Sequence, residues 1–399
     1  MTSPSYPSIR LKPKTNARAI RWGAPWVFDN ELVTDRRTKA LEPGSLAVLE
    51  DENRTPLALV AVNPNSRIMG RVLDRNPEAV IDLAWFREKI ARALALRARL
   101  YPHPFYRLVH AEADGLPGVV IDRFGDIAVI QPNAAWADGL IGPLAEAVRL
   151  ETGVTTVMKN ASGRARGLEG LDDVSDVLSG EAPTAPIPVP MNGATYLADL
   201  VGGQKTGLFF DQRPNHAFAA SLSKGQRVLD VFSHVGGFAL ACLAGGAASA
   251  LSVDGSEAAL TLARGGAEAS DTADRFDTRK GDAFDVLTAL AEEGQQFDVV
   301  ICDPPAFAPA KPALEAGLRA YERVAKLAVP LVAPGGYLGL CSCSHAADLE
   351  AFRSACHRGI GRAGRSAQLL HTGAAGPDHP LMPQLAESGY LKALFWRLP

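Results

Sequence analysis

The chain has 399 residues, of which 47% are hydrophobic and 21% are charged, and its net charge is −3. That length suits two or three globular domains, and the small negative charge excludes a strongly basic nucleic-acid binder. Apolar stretches stay below the roughly 18 residues of a membrane span, the N-terminus has no apolar signal core, and the five cysteines form no CxxC pair. We therefore expect a cytoplasmic protein without a membrane partner, a disulfide framework or a metal site.

The first 75 residues differ in charge from the rest of the chain. They hold 12 basic and 8 acidic residues, a net of +4, whereas the remainder has a net of −7. Apolar runs at 44–49 and 57–62 flank the turn Asp51-Glu52-Asn53 and predict a β-hairpin. We predict that residues 1–76 form a small β-rich module that binds RNA. A structural cap is the alternative, since charge alone does not separate the two.

The middle of the chain predicts a second small domain, from residue 77 to 180. Asp82 is a candidate N-cap for a helix over 82–100, where apolar residues recur at helical spacing. A second helix is predicted from about Ala135 to Glu151, between runs that alternate as strands do. Together these elements predict an α+β domain, and the Pro- and Ala-rich stretch 180–190 predicts a connector.

The last part, residues 181–399, alternates between strand and helix from residue 226 onward. Such alternation predicts a doubly wound parallel sheet with right-handed crossovers, which is an α/β fold. After the first strand, a turn containing Gly236 and Gly237 leads into a helix. A strand, a glycine turn and a helix make a nucleotide-binding arrangement, with the ligand at the carboxyl edge of the sheet.

The glycine turn suits S-adenosylmethionine better than a dinucleotide. The fingerprint GxGxxG, which admits a pyrophosphate, is absent here, and S-adenosylmethionine has no phosphate. Asp230, Asp254 and Asp282 belong to successive strands and suit its cationic and hydroxyl groups. We predict that Asp230 faces the methionine end, Asp254 the ribose and Asp282 the adenine amine. Carboxylates at strand ends are common in such sheets, so the alternative is that they bind no cofactor.

Two strand ends between residues 297 and 345 carry reactive groups. The first apolar run ends in Asp303-Pro304-Pro305, and the second ends in Cys341-Ser342-Cys343-Ser344. One helix-length segment separates the runs, and parallel strands joined by a helix end at the same edge of a sheet. We therefore expect Asp303 and both thiols to lie just past their strands and to face one crevice.

This combination leaves two chemistries open. An Asp-Pro-Pro turn followed by an aromatic residue, here Phe307, also holds an exocyclic nitrogen in amino-methylating enzymes. Carbon 5 of a pyrimidine is a poor nucleophile and needs covalent help instead. A thiolate adds to carbon 6, the resulting enolate-like system attacks the methyl group, the C5 proton leaves and the thiol is expelled. The two thiols favour carbon chemistry, although a buried cysteine is more often an apolar filler.

Several runs of the sequence resemble the bacterial 23S ribosomal RNA cytosine-5 methyltransferases. These runs are Asp303–Phe307, Cys341–Ser344, Gly203–Gly207, Asp211–Arg213, Pro25–Phe28, Asn63-Pro64, Asp114–Gly118, Asp378–Pro380 and Tyr390–Lys392. The resemblance covers nearly the whole chain. It implies an N-terminal PUA domain over 1–76, a small central α+β domain over 77–180 and a class I methyltransferase domain over 181–399.

The resemblance also implies roles for particular residues. Cys343 is the expected nucleophile, and Asp303 is expected to hydrogen-bond the N3/N4 edge of the cytosine. Pro304 and Pro305 are expected to bind the substrate together with Phe307, which would stack on a flipped base. The expected cofactor-binding residues are Lys205, Thr206, Arg213, Asp230, Phe232, Gly236, Asp254, Asp282 and Asp303.

The activity implied by the resemblance is transfer of a methyl group from S-adenosylmethionine to a cytosine C5 of large-subunit ribosomal RNA. Related eukaryote-type enzymes carry a second cysteine just after the Asp-Pro motif, whereas Ala306 and Phe307 follow it here. Cys302 precedes Asp303 and is expected to point into the strand, so the base that removes the C5 proton is open, as is the choice between monomer and homodimer. The alternative functions are methylation of an exocyclic amine of adenine or guanine, and RNA binding by a PUA protein with a vestigial cofactor site.

Overall fold

The computed structural model describes residues 6–203 and 207–399, and the chain divides into two compact units. Unit 1 holds the described residues up to Thr184 together with Pro377–Ser388, and unit 2 holds Ala185–Gly203, Gly207–Gly376 and Gly389–Pro399. The division of the chain into three domains stays a prediction. Within the described residues, no helix is both long enough and apolar enough to cross a membrane.

Unit 1 begins with a five-stranded sheet. Its elements are β1 (Ser8–Arg10), α1 (Ala17–Arg21), β2 (Trp26–Val27), α2 (Arg36–Lys39), β3 (Ser45–Glu50), β4 (Pro56–Val62) and β5 (Gly70–Asp74). The strand order is β1-β3-β4-β5-β2. The predicted hairpin is present as the antiparallel pair β3 and β4. Asp51 shapes its turn, because one carboxylate oxygen accepts hydrogen bonds from the backbone N–H groups of Asn53 and Thr55, both at 2.9 Å.

A second five-stranded sheet completes unit 1. Its elements are α3 (Leu83–Leu100), β6 (Phe105–His110), β7 (Val119–Phe124), β8 (Ile127–Pro132), α4 (Ala135–Gly139), α5 (Ile141–Thr152), β9 (Thr156–Lys159), α6 (Arg164–Leu168) and β10 (Asp176–Ser179). The strand order is β10-β9-β8-β7-β6. Asp82 caps α3 as predicted, since its carboxylate accepts a hydrogen bond from Trp85 N at 2.9 Å.

The prediction of a single helix from Ala135 to Glu151 is wrong, because the chain forms two helices there, α4 and α5. The break falls at Leu140, whose ψ of 25° departs from helical values. Pro143 supplies a physical reason. Proline has no N–H to donate to the carbonyl four residues earlier, so it is tolerated in the first turn of a new helix but disrupts a continuous one.

Unit 2 begins with a hairpin of β11 (Ile187–Met191) and β12 (Ala194–Ala198), joined at Asn192 and Gly193. Both turn residues have positive φ, 53° and 78°, as a two-residue hairpin turn of type I′ requires. A seven-stranded sheet with its helices follows. Its elements are α7 (Arg213–Ser221), β13 (Arg227–Val231), α8 (Gly237–Ala244), β14 (Ser249–Asp254), α9 (Glu257–Ala269), β15 (Phe276–Lys280), α10 (Ala283–Glu292), β16 (Phe297–Cys302), α11 (Leu314–Ala328), β17 (Val332–Ser342), α12 (Leu349–Arg362), β18 (Gln368–Gly373) and β19 (Lys392–Arg397).

The sheet of unit 2 has the strand order β15-β14-β13-β16-β17-β19-β18. The first five strands in this order are parallel, and β19 runs antiparallel to β17 and β18. Val300 and Leu338 belong to the buried cluster that joins the sheet to α10, α11 and α12, where they meet residues such as Val324 and Phe352. The predicted α/β fold is therefore present. It places the carboxyl ends of β13, β14, β16 and β17 along one edge.

Candidate active site

The turn after β13 is tight and strained. Phe232 and His234 have φ values of 63° and 49°, in a region that residues with a side chain rarely adopt, and Gly236 has 79°. A Cβ on Gly236 would lie 3.2 Å from Ala263 Cβ and 3.2 Å from Leu240 Cγ. The glycine is therefore needed both for its backbone conformation and for the close approach of α9, which carries Ala263.

Asp230 lies fully buried in β13, immediately beneath this turn. Its Oδ2 accepts a hydrogen bond from Ala239 N at 2.9 Å, whereas its Oδ1 has no partner among the described residues. Burial and, to a smaller extent, the nearby carboxylate of Asp254 raise the pKa of Asp230 to about 7, while backbone hydrogen bonds at α8 oppose the shift. The buried hydroxyls of Ser233 and Ser252 likewise have no partner among the described residues.

These unsatisfied atoms are a test of whether a cofactor fits. A buried polar atom without a hydrogen bond costs about 1–3 kcal/mol, so three such atoms around one turn indicate partners that the chain itself does not supply. S-adenosylmethionine carries an ammonium, a sulfonium and ribose hydroxyls. A half-satisfied carboxylate and two hydroxyls suit such groups, and the residues present fit the cofactor.

Asp254 and Asp282 both have structural partners. Asp254 accepts hydrogen bonds from His234 N and Ser256 N, each at 2.8 Å, and so holds the turn after β13 against the end of β14. Asp282 is exposed and caps α10, since its Oδ1 accepts from Phe284 N at 2.9 Å. Their roles towards ribose and adenine stay predictions.

Asp303 follows β16, and its backbone N–H donates to Val231 O at 3.1 Å. Its Oδ2 accepts a hydrogen bond from Gln212 Nε2 at 2.9 Å. Burial raises the pKa of the Asp303 carboxyl to about 8, and the carboxylates of Asp211 and Asp230 add to the effect, while the Gln212 hydrogen bond opposes it. Near neutral pH this carboxyl is therefore mostly protonated.

Gln212 is a site residue that the sequence reasoning missed. Its side chain is buried, with Nε2 on Asp303 and Oε1 accepting from Asn215 Nδ2 at 2.6 Å. It stands directly before Arg213, to which a role was given. The signal was therefore present in the run Asp211-Gln212-Arg213, but nothing in the sequence showed that the amide faces Asp303.

The proline turn leads into an aromatic cluster. Pro304 is buried and Pro305 is exposed. The ring centroid of Phe307 lies 5.0 Å from that of Tyr321, 6.3 Å from Phe284 and 6.4 Å from Phe232. Phe307 is half-buried, so its ring is held by neighbours at the same edge as the glycine turn.

The two thiols of β17 and its end are not equivalent. Cys341 lies inside β17, paired with Ala393 of β19, and is 1% exposed. The expectation that both thiols lie just past the strand is therefore wrong for Cys341, because β17 extends to Ser342. Burial raises the pKa of Cys341 well above its ordinary value, with Asp303 adding to the effect and Gln212 opposing it.

Cys343 is the first residue after β17 and is half-buried. All five cysteines fall within the described ranges, and the other four, Cys242, Cys302, Cys341 and Cys356, are buried with raised pKa values. A thiolate is the reactive form, so burial in apolar surroundings makes these four inert. Among the five cysteines, only Cys343 both lies at the carboxyl edge of the sheet and is partly exposed to solvent.

A buried hydrogen-bond network holds the backbone on both sides of Cys343. Ser342 Oγ donates to Tyr321 Oη at 2.9 Å, and Tyr321 Oη lies 2.7 Å from Ser344 Oγ, which accepts from Ala308 N at 2.9 Å. The Lys392 ammonium donates to the carbonyl oxygens of Ser344 and Ala347, both at 2.7 Å. Sequence reasoning gave Tyr321 no role.

Three predicted cofactor residues remain. Arg213 begins α7, and its guanidinium carbon lies 5.3 Å from the centroid of the Phe210 ring. Lys205 and Thr206 lie outside the described residues. In the described part of the chain, no group of three or more His, Cys, Asp or Glu side chains could hold a metal ion.

The chain is similar to known proteins over nearly its whole length. Residues 155–397 match the family described as S-adenosylmethionine-dependent methyltransferase, and residues 9–75 match a PUA-like domain. The chain is 34% identical over 394 residues to the ribosomal RNA large subunit methyltransferase I of Shewanella denitrificans, covering 98% of this chain and 99% of that protein. It is 35% identical over 379 residues to the protein of the same name from Aeromonas hydrophila, covering 94% and 95%.

Solved structures share the architecture. A Streptococcus mutans protein described as a SAM-dependent methyltransferase superposes with a TM-score of 0.83, covering 98% of this chain and 100% of its own. The two sequences are 18% identical, so this likeness concerns the fold alone.

Proposed function

The chain belongs to the S-adenosylmethionine-dependent methyltransferase family and to the family of the proteins named ribosomal RNA large subunit methyltransferase I, and we propose that it methylates carbon 5 of a cytosine in large-subunit ribosomal RNA. S-adenosylmethionine is the cofactor, and when bound it supplies the methyl group. The observation that carries the choice of carbon 5 is Cys343, a half-buried thiol at the same sheet edge as Asp303.

On this proposal Asp230 and the hydroxyl of Ser233 receive the cationic methionine end of the cofactor. The unsatisfied Asp230 Oδ1 supports this, because a bound ammonium would complete its hydrogen bonding and favour the ionised carboxylate. Asp254 and Asp282 are proposed to bind the ribose and the adenine, in addition to the backbone hydrogen bonds that they accept.

Asp303 is proposed to bind the N3/N4 edge of the cytosine. Its raised pKa, about 8, means that the carboxyl still carries a proton at neutral pH and can donate a hydrogen bond to N3. That donation withdraws electrons from the ring and makes C6 more electrophilic. Gln212, which donates to the other side of the same carboxyl, orients it. Pro304, Pro305 and Phe307 are proposed to shape the pocket for the flipped base.

Cys343 is proposed to attack C6 as a thiolate. A bond forms between Sγ and C6, and the electron pair of the C5–C6 double bond moves onto the ring, so that C5 becomes nucleophilic. C5 takes up the methyl group, whose bond to the sulfonium sulfur breaks and leaves its electron pair on sulfur. The C5 proton then passes to a base. The electron pair of the C5–H bond re-forms the C5–C6 double bond and expels the Cys343 thiolate, which restores the enzyme.

The test compares two cysteine variants on large-subunit ribosomal RNA with S-adenosylmethionine. Cys343→Ser is expected to lose about 10³-fold or more of the rate of 5-methylcytidine formation, measured by nucleoside mass spectrometry. Cys341→Ser is the matched comparison, two residues away but buried inside β17, and is expected to keep the activity. Full methylation by Cys343→Ser would overturn the assignment of the nucleophile.

A covalent trap tests the mechanism separately from the rate. In RNA that carries 5-fluorocytidine at the target, C5 has no proton to lose, so the Cys343–C6 bond cannot break after methyl transfer. The wild type and Cys341→Ser are expected to form a complex with this RNA that survives denaturing electrophoresis, and Cys343→Ser is expected to form none.

Methylation of an exocyclic amine is the second candidate, and the Asp303-Pro304-Pro305 turn followed by Phe307 favours it as well. In that chemistry no covalent complex forms and both thiols are dispensable. The same mass spectrometry decides, because an N-methylated adenosine or guanosine would replace 5-methylcytidine among the products.

A further inference from the structure

Lys392 stands out among the charged residues of unit 2 because its ammonium group is buried. The residue is 6% exposed, and no carboxylate of the described residues forms an ion pair with it. Burying a charge without an opposite charge costs free energy, and natural chains rarely do so unless the charge has a use. A buried ammonium at this position therefore indicates a function for its charge.

The surroundings of Lys392 point to Cys343. Lys392 opens β19 and is the register partner of Ser342, the residue immediately before the thiol. Its Nζ donates to Ser344 O and Ala347 O, both at 2.7 Å, so the ammonium is fixed against the loop that leaves Cys343. The charge thus has a defined position, which a flexible surface lysine lacks.

The electrostatic coupling is mutual. Burial lowers the pKa of Lys392 to about 8, while the thiolate of Cys343 and then the carboxylate of Asp348 favour its charged form. An interaction that favours the ammonium when Cys343 is ionised favours the thiolate by the same free energy when Lys392 is charged. At neutral pH Lys392 remains mostly charged.

We propose that Lys392 is a positioning residue, whose buried ammonium stabilises the thiolate of Cys343 while its two hydrogen bonds fix the loop that carries the thiol. The proposal rests on the proposed function, in which Cys343 is the nucleophile. Other titratable groups on or near this loop include His345 on the loop itself, Tyr390 with its ring 5.5 Å from that of His345, Tyr321 from α11 and Asp348 at the start of α12.

The experiment measures the reactivity of Cys343 with iodoacetamide as a function of pH, in the full chain without RNA. The label is assigned by peptide mass spectrometry with fragmentation, which separates Cys343 from Cys341. This readout needs no methyl transfer. It can therefore succeed or fail independently of Cys343→Ser in the methylation assay, so that failure of the inference and failure of the proposed function are distinguishable.

Three substitutions separate charge from hydrogen bonding. Lys392→Gln keeps an amide donor but loses the charge, Lys392→Met loses both, and Lys392→Arg keeps the charge. For Gln and Met we expect the alkylation midpoint to move upward by about one pH unit or more, so that alkylation at pH 7 slows about tenfold. For Arg we expect a shift of less than about half a unit, because the charge remains.

Lys224→Met, on the surface of unit 2, is the matched control for loss of a positive charge and should leave the midpoint unchanged. Cofactor binding, measured by calorimetry, checks that each variant is folded. If Lys392→Met fails that check, Lys392→Gln and Lys392→Arg test the inference. A midpoint in Lys392→Gln equal to that of the wild type overturns the inference, because the lysine would then act through its hydrogen bonds alone. If Lys392→Gln has a lower kcat for methylation but the same alkylation midpoint as the wild type, the inference is overturned as well.

Discussion

One cluster in unit 1 and the carboxyl edge of the sheet in unit 2 differ in how their buried polar groups are satisfied. In unit 1, Arg97 is fully buried and its guanidinium donates to both Asp114 carboxylate oxygens at 2.6 and 2.7 Å, to Asp378 O at 2.8 Å and to Arg107 O at 2.9 Å. Asp378 in turn accepts from Tyr101 Oη at 3.1 Å and Arg107 N at 3.0 Å. These charged groups satisfy one another within the chain.

The carboxyl edge of the sheet in unit 2 leaves such groups open. Asp230 is as deeply buried as Arg97, but only one of its oxygens has a partner among the described residues. A saturated buried network contributes to a unique fold, and breaking it is costly. A buried group that is kept unsatisfied lowers stability, so its retention indicates a partner from outside the chain. We therefore infer that the saturated cluster serves the fold and propose that the open groups at the sheet edge receive a ligand.

The largest stability effect is expected from Arg97→Met in the saturated cluster. The change leaves Asp114 and two backbone carbonyls buried without their donor, at a cost of about 3–5 kcal/mol in the free energy of unfolding. Urea unfolding measures the loss. Arg92→Met on the same helix is the control. Arg92 is exposed and pairs only along the helix with Glu88, so its loss should cost at most about 0.5 kcal/mol. Equal losses of unfolding free energy in Arg97→Met and Arg92→Met would mean that the cluster around Arg97 is not a stabilising network.

Asp230→Asn is expected to act in the opposite direction. The folded-state pKa of about 7 lies above the ordinary 3.8, so between these values the folded protein binds more protons than the unfolded one. The stability of the wild type therefore falls as the pH rises from about 4 to about 7, and the variant escapes this fall. At pH 8 the variant should be more stable than the wild type by on the order of 1–3 kcal/mol, and near pH 4 the difference should vanish.

The same substitution should weaken the cofactor site. Asparagine offers no charge to an ammonium, so the affinity for S-adenosylmethionine in calorimetry is expected to fall about 10- to 100-fold. Asp277→Asn, at an exposed position of β15, is the matched control and should change neither quantity. A stabilised variant that still binds the cofactor with wild-type affinity would mean that the unsatisfied oxygen of Asp230 does not bind the cofactor.

A smaller loss is expected from Tyr321→Phe, which removes the hydroxyl that joins Ser342 to Ser344. Both serine side chains are buried, so we expect a loss of about 1–2 kcal/mol in urea unfolding. Tyr337→Phe in β17 removes a hydroxyl that makes no hydrogen bond to the described residues and should be close to neutral. A neutral Tyr321→Phe would show that the loop of Cys343 is held by other contacts.

Native thiol titration perturbs the molecule least and sharpens the comparison within unit 2. Cys343 is half-buried and the other four cysteines are buried, so one equivalent of a thiol reagent should react quickly and the remainder only on unfolding. Cys343→Ser should abolish the fast phase, whereas Cys356→Ser should leave it. A fast phase of two equivalents would mean that a second thiol, such as Cys341, is accessible.

Local patterns predicted most of the architecture. The N-cap of α3 at Asp82 and the β3–β4 hairpin follow from short-range backbone chemistry and were found where the sequence indicated them. The prediction of one helix from Ala135 to Glu151 was wrong because Pro143, which lacks an N–H, disrupts a continuous helix. The segment Pro377–Ser388 lies between β18 and β19 in sequence and belongs to unit 1. No local pattern indicates such a long-range assignment.

The sequence by itself determined which chemical groups lie along the edge of the methyltransferase sheet. Period and crossover rules place the ends of parallel strands together, and for that reason Asp230, Asp303 and the two thiols Cys341 and Cys343 were predicted at one edge, whereas the family resemblance alone singled out Cys343. Only the tertiary structure decided their states. The length of β17 buries Cys341, burial raises the pKa of Asp303, and Gln212 and Lys392 reach the site from distant parts of the chain. Desolvation and contacts between residues far apart in sequence set these states, and neither can be read from a run of neighbouring residues.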